Sequence, residues 1–438
     1  MSQKQRGQTQ ASVLERSRQD LTLAPWRPVR QNLPHRGLPS PAAAVTAEMT
    51  RAEIRGQIKR GMRVAIGVGS RGIGCLQEVV RALVTELRSV GAQPFIVPAM
   101  GSHGGGTAEG QIEVLAAYGI TEARVGAPIR ASMDTVELGE VLDGVRVFFD
   151  RIAFTEADAI LPVARVKPHS DFRGQIESGL HKMLGIGFGK HRGASYLHTF
   201  PLERFGDLMA EVGALVLQKA PVPFGIAIVE DAYEDAAIIE AISRERMAAR
   251  EPVLLRLAKE WLPRLPFKDV DVLLVQEIGK NISGAGMDPN ITGRFTLPSM
   301  PRHIRIGRLV VLDLTEETHG NASGVGMADI ITRRAADQID FFKTYTNSVT
   351  AYGLEGAKLP LVAQSDREAV AIAVSTLWGV RSETVRMVWI KNTLALAHLR
   401  MTEPLWKEVS GDPLFEPAGD PAPVRFDTSG TLVLSEDR

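Results

Sequence analysis

Apolar residues follow two alternating spacings along the first part of the chain, and together they predict strands and helices in turn. The run at residues 63–66 is typical of a buried strand. Apolar side chains then return every three or four positions, which is the spacing of one buried helix face; they are Leu76, Val79, Val80, Leu83, Val84 and Leu87. Gly91 ends this helix and a second strand follows at 94–97. Strand, helix and strand in this order predict a βαβ unit with a parallel sheet.

The same patterns predict the remaining elements. Further strands are expected at 145–149, 158–164, 224–229, 270–275 and 308–314, and helices near 46–59, 107–118, 202–219, 233–263, 328–341 and 366–376. The segment 233–263 is rich in Ala, Glu and Arg and is expected to be a helical bridge to a second α/β domain. We therefore predict an α/β fold, with two α/β domains that have largely parallel sheets and an intervening cleft.

Four segments follow from these patterns and from the composition between them. The expected segments are a mobile N-terminal arm at 1–45, an N-terminal α/β domain at 46–265, a C-terminal α/β domain at 266–410 and a Pro-rich tail at 411–438. The arm is rich in Gln, Arg, Ser and Pro, and its residues 25–28 are expected to pack on the first domain.

Composition narrows the class of protein. The 438 residues contain 51 Lys and Arg against 51 Asp and Glu, and this balance argues against a nucleic-acid or membrane-surface role. Cys75 is the single cysteine, which rules out a disulfide within the chain and a Cys-rich metal site. No apolar run approaches the roughly 20 residues of a membrane helix, and the N-terminus lacks the apolar core of a signal peptide. We expect a cytoplasmic protein without a nucleic-acid or membrane partner; a homo-oligomer is compatible with the sequence.

The turn at residues 67–72 has the form G-x-G-x-x-G between a strand and a helix. This form is typical of dinucleotide binding when an acidic residue ends the second strand. That strand ends Val97-Pro98-Ala99-Met100 without a carboxylate, so ordinary NAD binding is not favoured. The glycines still allow backbone N–H groups to approach an anion, and the fork of Arg71 suits a phosphate or carboxylate. The alternative is a solvated arginine.

Histidines concentrate in the loops that leave the predicted strands. His169, His181, His191 and His198 lie just after the strand at 158–164, and a Gly-rich loop carries His103 after an earlier strand. Ligands of α/β proteins bind beyond the carboxyl ends of parallel strands. His103 and His169 are expected at the same sheet edge, where two imidazoles could act as acid and base on opposite faces of a substrate, as a racemase requires. The alternative for each is a solvated loop histidine.

His198 is a candidate metal ligand. The chain has no H-E-x-x-H sequence and no pair of cysteines, so a metal held by one or two protein ligands would need further ligands from a cofactor. The residues alone therefore predict an α/β enzyme with a histidine-rich cleft and an anion-binding turn, and they do not specify its reaction.

Four of these positions, with their intervals, resemble the lactate racemase family that uses a nickel-pincer nucleotide. The loop Gly101-Ser102-His103-Gly104 is similar to the family's Gly-Thr-His, and Pro168-His169 to its Pro-His, with the family's separation of 66 residues (169 − 103). Lys182 is similar to the lysine that forms a thioamide with the cofactor. His198 follows 16 residues later (198 − 182), at the position of the nickel ligand. The resemblance covers roughly residues 60–330.

The resemblance implies a racemase or epimerase of a 2-hydroxy acid. One of His103 and His169 would take the hydroxyl proton, the C2 hydride would move to and from the nickel-pincer nucleotide, and the other histidine would serve the opposite face. Lys182, Arg71, Gly69 and Ser70 would hold the cofactor, and His198 would bind nickel. Arg71 would also contact substrate. The first domain would supply most of the cofactor site, the second would supply a lid, and proteins of cofactor biosynthesis would be partners.

The chain departs from the family in its substrate residues. Val68 stands where the family has an acidic residue, and Ser178-Gly179-Leu180-His181 replaces the family's Ser-Gly-Gly before the lysine. The family's Tyr-Gln and later Lys are not matched after Asn290. Lactate is therefore not the expected substrate, and Arg173, Lys280 and Arg294 are candidates to bind another acid. The alternatives are a nicotinamide-dependent dehydrogenase that uses the Gly67–Gly72 turn, and a non-catalytic binder of a nickel cofactor or a phosphorylated metabolite.

Overall fold

The structure is a computed structural model that describes residues 21–434 except Arg71, Asp143 and Pro298. The chain divides into two compact units. One comprises residues 34–262, and the other combines residues 263–434 with residues 21–33. Each unit is an α/β structure around a mixed, mostly parallel sheet, which confirms the predicted fold class.

Strand β1 (Trp26–Gln31) contradicts the expected packing of the N-terminal arm. It pairs antiparallel with residues 398–402 and with residues 415–417, so it belongs to the second unit. Trp26 is buried in the core of that unit, and Arg27 forms a 2.6 Å ion pair with Glu403. The sequence pattern missed this placement because the partner strands come from the far end of the chain; Arg27 and Glu403, for example, are 376 residues apart.

The unit of residues 34–262 has a five-stranded sheet in the order β3-β2-β6-β7-β8 and a separate hairpin, β4-β5. Its strands are β2 (Arg63–Val68), β3 (Gln93–Pro98), β4 (Thr135–Val141), β5 (Val145–Asp150), β6 (Ala159–Arg165), β7 (Phe224–Glu230) and β8 (Ala236–Ser243). Its helices are α1 (Pro41–Thr50), α2 (Ala52–Arg55), α3 (Leu76–Ser89), α4 (Ala108–Ala117), α5 (Glu122–Val125), α6 (Arg151–Glu156), α7 (Leu180–Lys182), α8 (Lys190–Leu197), α9 (Phe205–Lys219) and α10 (Arg244–Trp261). A π-turn (Met183–Gly187) joins α7 to α8, and short 3-10 turns occupy Gly104–Gly106 and Leu202–Arg204.

The central sheet of this unit separates two hydrophobic cores. Val64, Ile66 and Val68 of β2 face one core, whereas Ala65 faces the other. This alternation follows from the two-residue period of a strand, and covering both faces is typical of parallel sheets. The predicted apolar face of α3 packs into the first of these cores.

Two predictions in this unit were wrong. The helix expected near 46–59 begins at Pro41, where Ser40 accepts a hydrogen bond from the Ala43 N–H as N-cap and proline occupies the first turn. The segment 233–263 is not helical throughout, because residues 236–243 form β8, antiparallel to β7. Pairing with β7 and burial of Ile239 and Ile242 outweigh the helix propensity of alanine and glutamate here.

The second unit has an eight-stranded sheet in the order β12-β11-β10-β9-β13-β14-β1-β15. Its further strands are β9 (Asp269–Ile278), β10 (Arg305–Leu314), β11 (Ile330–Thr332), β12 (Leu361–Ala363), β13 (Met387–Ile390), β14 (His398–Thr402), β15 (Phe415–Pro417), β16 (Arg425–Phe426) and β17 (Leu432–Val433). Its helices are α11 (Pro289–Thr292), α12 (Arg333–Asp337), α13 (Phe341–Thr350), α14 (Asp366–Ser375) and α15 (Glu403–Val409). Short 3-10 turns lie at Glu316–Thr318, Val325–Met327, Leu354–Ala357 and Ser382–Thr384.

The single helix expected near 328–341 was wrong. Ile330 and Ile331 are buried and pair in parallel with Val310 and Val311, so they continue the sheet as β11. Thr332 then accepts a hydrogen bond from the Ala335 N–H and caps α12. In the described part of the chain, the longest helices are too short or too polar to cross a membrane.

Candidate functional site

The site is assembled at one edge of the first unit's sheet. Strand β2 pairs in parallel with β3 on one side and with β6 on the other. Their carboxyl ends therefore lie side by side, as predicted for His103 and His169. Ser70 follows β2, His103 follows β3 and His169 follows β6.

His103 is held by the loop after β2. Its Nδ1 atom lies 2.5 Å from the hydroxyl of Ser70, and the imidazole is exposed. The amide of Gln111 donates to the carbonyl oxygens of Gly101 (2.9 Å) and His103 (3.3 Å), which fixes the loop that carries the histidine. Gly101 has a φ of +60°, and a Cβ there would lie 3.2 Å from the Ile186 carbonyl, so this close approach favours glycine.

The first Gly-rich turn serves packing as well as any ligand. A Cβ on Gly67 would lie 2.2 Å from the ring of Phe188, and one on Gly69 would lie 3.0 Å from the methyl of Met183. Both neighbours belong to the helical segment that carries Lys182, so these glycines let that segment approach β2. Arg71, the predicted anion-binding residue, lies outside the described residues.

Local hydrogen bonds set the orientation of His169. Its backbone N–H donates to the Glu177 carboxylate at 2.8 Å, and its Nδ1 accepts from the backbone N–H of Asp171 at 3.0 Å. The imidazole stacks on Phe172 with ring centres 4.1 Å apart. Because Nδ1 accepts a hydrogen bond, the ring hydrogen of the neutral imidazole is on Nε2.

Lys182 meets the other nitrogen of this ring. Its Nζ lies 2.7 Å from His169 Nε2. In this tautomer Nε2 is the donor and Nζ the acceptor, an arrangement that favours the neutral amine, which is the nucleophilic form of lysine.

Glu177 is a site residue that the sequence did not single out. Its side chain is fully buried and accepts hydrogen bonds from the His169 N–H and from the ammonium of Lys259 on α10, the latter at 2.5 Å. Arg173, a predicted substrate residue, donates to the carbonyls of His169 (2.7 Å) and Phe172 (2.9 Å). Glu177 and Arg173 therefore brace the backbone of the loop that carries His169.

His181 lies next to Lys182 but points into the protein. Its Nδ1 is 2.6 Å from the buried carboxylate of Glu251 on α10, which also accepts from the His181 backbone N–H at 3.2 Å. A Cβ on Gly179 would lie 2.1 Å from Glu251 Oε1, so glycine is required where this carboxylate meets the turn. These contacts anchor the start of α7 and with it the backbone of Lys182.

A second buried pair was also missed by the sequence. Lys190 Nζ lies 2.8 Å from Asp150 Oδ2 and donates to the Pro98 carbonyl at 2.6 Å, with both side chains fully buried. Burial lowers the pKa of Lys190 and raises that of Asp150, and their mutual attraction opposes both shifts. The pair ties the start of α8 to the ends of β3 and β5. No sequence signal marks it, because neither residue lies in a recognisable motif.

His198 caps the carboxyl end of α8, and its imidazole is in a tautomer that can bind a metal. Its Nδ1 donates to the Ala194 carbonyl at 2.6 Å, which leaves the lone pair on Nε2. Burial lowers the pKa of its imidazole, so the ring stays neutral to lower pH. Lys182 in its charged form further lowers the pKa of His198, and the charge of Asp171 raises it. His191, on the same helix, is exposed and lies 3.5 Å from the Ser195 hydroxyl.

In the described part of the chain, one group of three metal-ligand side chains lies elsewhere in this unit: His35, Asp231 and Asp235. Asp231 already accepts from the backbone N–H groups of Arg36, Tyr233 and Asp235, which gives it a structural role. Among the described residues His198 belongs to no such group, and the expectation that a metal there takes ligands from a cofactor stays a prediction.

The other candidate substrate residues lie in the second unit. Lys280 donates from Nζ to the Gly284 carbonyl at 2.5 Å and from its backbone to Thr318. Arg294 forms an ion pair with Asp329 at 2.8 Å and donates to the Ile306 carbonyl. These bonds order the unit's own loops, and a role for either residue toward an acid substrate stays a prediction.

Comparison with known proteins identifies solved structures that have a similar fold. No family model and no curated protein matches the chain. Among solved structures, a Thermotoga maritima protein is similar with a TM-score of 0.52 and 12% identity, over 83% of this chain and 99% of that one. The lactate racemase apoprotein of Thermoanaerobacterium thermosaccharolyticum is similar with a TM-score of 0.51 and 13% identity, over 84% of this chain and 94% of that one. The chain therefore has the fold of lactate racemase.

Proposed function

We propose that this protein is a racemase or epimerase that acts at the hydroxyl-bearing carbon of a 2-hydroxy acid. The observation that carries the proposal is the contact of His169 Nε2 with Lys182 Nζ, with His198 within electrostatic range in its metal-ligand tautomer. The fold shared with a lactate racemase supports the same reaction class. His103, which follows β3 on the other side of β2, would supply a second imidazole.

The residues present fit a nickel-pincer nucleotide. His198 would offer the lone pair of Nε2 to nickel, because its Nδ1 is tied to the Ala194 carbonyl. Lys182 would form the covalent link, because its amine is positioned to be neutral beside His169. Ser70 and Gly69, with Arg71, would contact the nucleotide. When bound, the nucleotide supplies reversible acceptance of the C2 hydrogen together with its electron pair.

The chain's own residues would move the hydroxyl proton. His103 and His169 are the acid and base, since imidazole changes its protonation near neutral pH. The Ser70 hydroxyl can donate to or accept from His103 Nδ1, so it can form a hydrogen bond with either tautomer of that ring. For His169, the contacts of Glu177 and Arg173 would hold the backbone in place while the ring gains or loses a proton.

The substrate would be an acid other than lactate, because Val68 and residues 291–294 do not match the lactate-binding positions. Arg71, Arg173, Lys280 and Arg294 are the basic residues that could bind its carboxylate. A larger 2-hydroxy acid, such as a sugar acid or an aromatic hydroxy acid, is the class to test first.

The first experiment measures nickel content and intact mass in protein made by a host that also synthesises the pincer nucleotide. Wild type should hold nickel and carry a mass adduct that Lys182→Ala lacks, and His198→Ala should lose nickel. His191→Ala is the matched control, since His191 is an exposed histidine on the same helix. The loaded protein is then incubated with single enantiomers of 2-hydroxy acids and analysed by chiral chromatography.

Three outcomes separate the proposal from its alternatives. Inversion of at least one acid, lost in His103→Ala and His169→Ala, supports the proposal. Nickel retention without inversion of any acid in a broad panel would indicate a non-catalytic binder. Absence of nickel, together with tight NADH binding and redox activity, would indicate a nicotinamide-dependent dehydrogenase.

A further inference from the structure

Helix α13 of the second unit is oriented with its polar side inward. Thr344 is 1% exposed, and its hydroxyl accepts from the backbone N–H of Ala322. Ser348 is also buried. By contrast, Phe342 is 82% exposed and Val349 is 62% exposed. A helix of a water-facing surface normally shows the opposite arrangement.

The exposed apolar side chains of α13 and the residue just after it form one stripe. At 100° per residue Phe341, Phe342, Tyr345 and Val349 fall within an arc of about 100°, which is the width of a helix face that packs on a neighbour. Tyr352, which follows the helix with a φ of +53°, is also exposed. The rings of Phe341 and Tyr345 are 5.5 Å apart, so the stripe is continuous there. We call this set the α13 stripe.

The apolar surface continues beyond the helix. The 3-10 turn Leu354–Ala357 packs against α13, and Leu354, Leu359 and Leu361 are exposed. Leu361 opens β12, the strand at the end of the eight-stranded sheet. Eight large apolar residues are thus exposed within 21 residues (341 to 361). A patch of this density marks an interaction site rather than ordinary surface.

Charge and composition favour a protein partner over a lipid surface. The charged residues beside the stripe are paired with opposite charges: Lys343 with Asp340, Arg333 with Asp337, and Lys358 with Glu355. A helix that binds anionic lipid carries an excess of Lys and Arg on its polar face. Aromatic residues with a rim of mixed charge are instead typical of protein interfaces.

We propose that the α13 stripe is the interface through which two copies of this chain associate. Phe341, Tyr345 and Val349 lie four residues apart in a line. Two such helices packed antiparallel about a two-fold axis would place Tyr345 against its copy and Phe341 against Val349. The eight exposed side chains offer on the order of 900 Å² per copy, given the roughly 150–250 Å² that a large aromatic can bury. A stable interface needs about 800 Å² per partner.

The test measures molar mass by light scattering across a range of protein concentrations. Wild type should give twice the 47.6 kDa mass of the chain. The double variant Phe342→Glu with Val349→Glu should give the single mass at the same concentration, with an unchanged circular dichroism spectrum. Trp378→Glu is the matched control, because Trp378 is a fully exposed aromatic of the same unit outside the stripe, and it should remain dimeric.

A second experiment, disulfide cross-linking, tests the two-fold geometry and leaves the rest of the apolar stripe unchanged. In a Cys75→Ser background, Tyr345→Cys should form a disulfide-linked dimer on mild oxidation, and Trp378→Cys should not. A wild-type chain that stays monomeric at all concentrations would overturn the proposal, as would a dimer unaffected by the double variant. Sedimentation of monomeric protein with anionic phosphatidylserine vesicles, lost in the double variant, would overturn it in favour of a membrane partner.

Discussion

Nζ of Lys182 and Nε2 of His169 are 2.7 Å apart, and in the tautomer that the Asp171 contact selects the imidazole is the donor. The direction follows from the backbone N–H of Asp171, which occupies the lone pair of His169 Nδ1. In the proposed function, one histidine would both exchange a proton with the substrate and favour a nucleophilic lysine before any cofactor is attached. Cofactor attachment and catalysis would then depend on the same side chain.

Lys182 should therefore acylate unusually fast in the protein without cofactor. An exposed lysine with a pKa of roughly 10.4 is only about 0.04% neutral at pH 7. With a limiting amount of an N-hydroxysuccinimide ester at pH 7, peptide mass spectrometry should show Lys182 modified at least about 10-fold faster than exposed Lys59. The variant His169→Phe should bring Lys182 down to the rate of Lys59. Equal rates for the two lysines in wild type would contradict the neutral-amine assignment.

Glu177→Gln should loosen the loop that carries His169. The amide keeps one accepting oxygen, but its NH₂ group then faces either the Lys259 ammonium or the backbone N–H of His169, so one hydrogen bond to a charged group is lost. Such a bond contributes about 1.5–3 kcal/mol. We expect a loss of about 2 kcal/mol in the urea unfolding of this unit and faster amide hydrogen exchange over residues 169–178.

The exposed residue Glu203 supplies the control for that experiment, and Glu203→Gln should change neither quantity. Acylation of Lys182 separates positioning from general stability, because it should slow in Glu177→Gln under conditions where the variant is fully folded. Unchanged exchange over residues 169–178 would show that Glu177 does not hold the loop.

Whether an element could be predicted from the sequence depends on whether the contacts that form it are local in the chain. The periodicity of α3 and the apolar runs of β2 and β6 predicted those elements, because one face or one strand carries the whole signal. Strand β8 was missed because its alanines favour helix until β7 is present to pair with it. Strand β1 was missed because its partners come from the other end of the chain.

The site residues also differ in whether the sequence could predict them. The placement of His103 and His169 at one sheet edge followed from parallel strands alone. Lys182 and His198 followed from a family resemblance, and their roles stay predictions. Glu177 and Lys190 could not be found from the sequence, because a buried charged residue is recognised only by the partners that the fold brings to it.

Cys75 should be a poor nucleophile in the folded protein. Burial, with a further contribution from the charge of Glu230, raises the pKa of its thiol to about 11. At pH 8 a thiol with that pKa is about 0.1% thiolate, against about a quarter for an ordinary cysteine. Alkylation by iodoacetamide should be roughly 200-fold slower than in urea and should rise about tenfold per pH unit above pH 8. A plateau of the rate near pH 8.5 in folded protein would contradict this expectation.

Gly67 distinguishes a packing role of the first Gly-rich turn from a ligand role. A Cβ at this position would overlap the Phe188 ring, whereas a Cβ on Gly72 would have its nearest neighbour 3.8 Å away. Gly67→Ala should therefore lower the free energy of unfolding by about 1–3 kcal/mol, as overpacked cores do, and Gly72→Ala should be nearly neutral. The second change Phe188→Leu removes the atoms that clash, so the double variant Gly67→Ala with Phe188→Leu should be more stable than the sum of the two single losses predicts. Strict additivity in this double-mutant cycle, measured by urea unfolding, would show that Gly67 is not needed for the approach of Phe188 and would return the turn to a purely ligand-binding role.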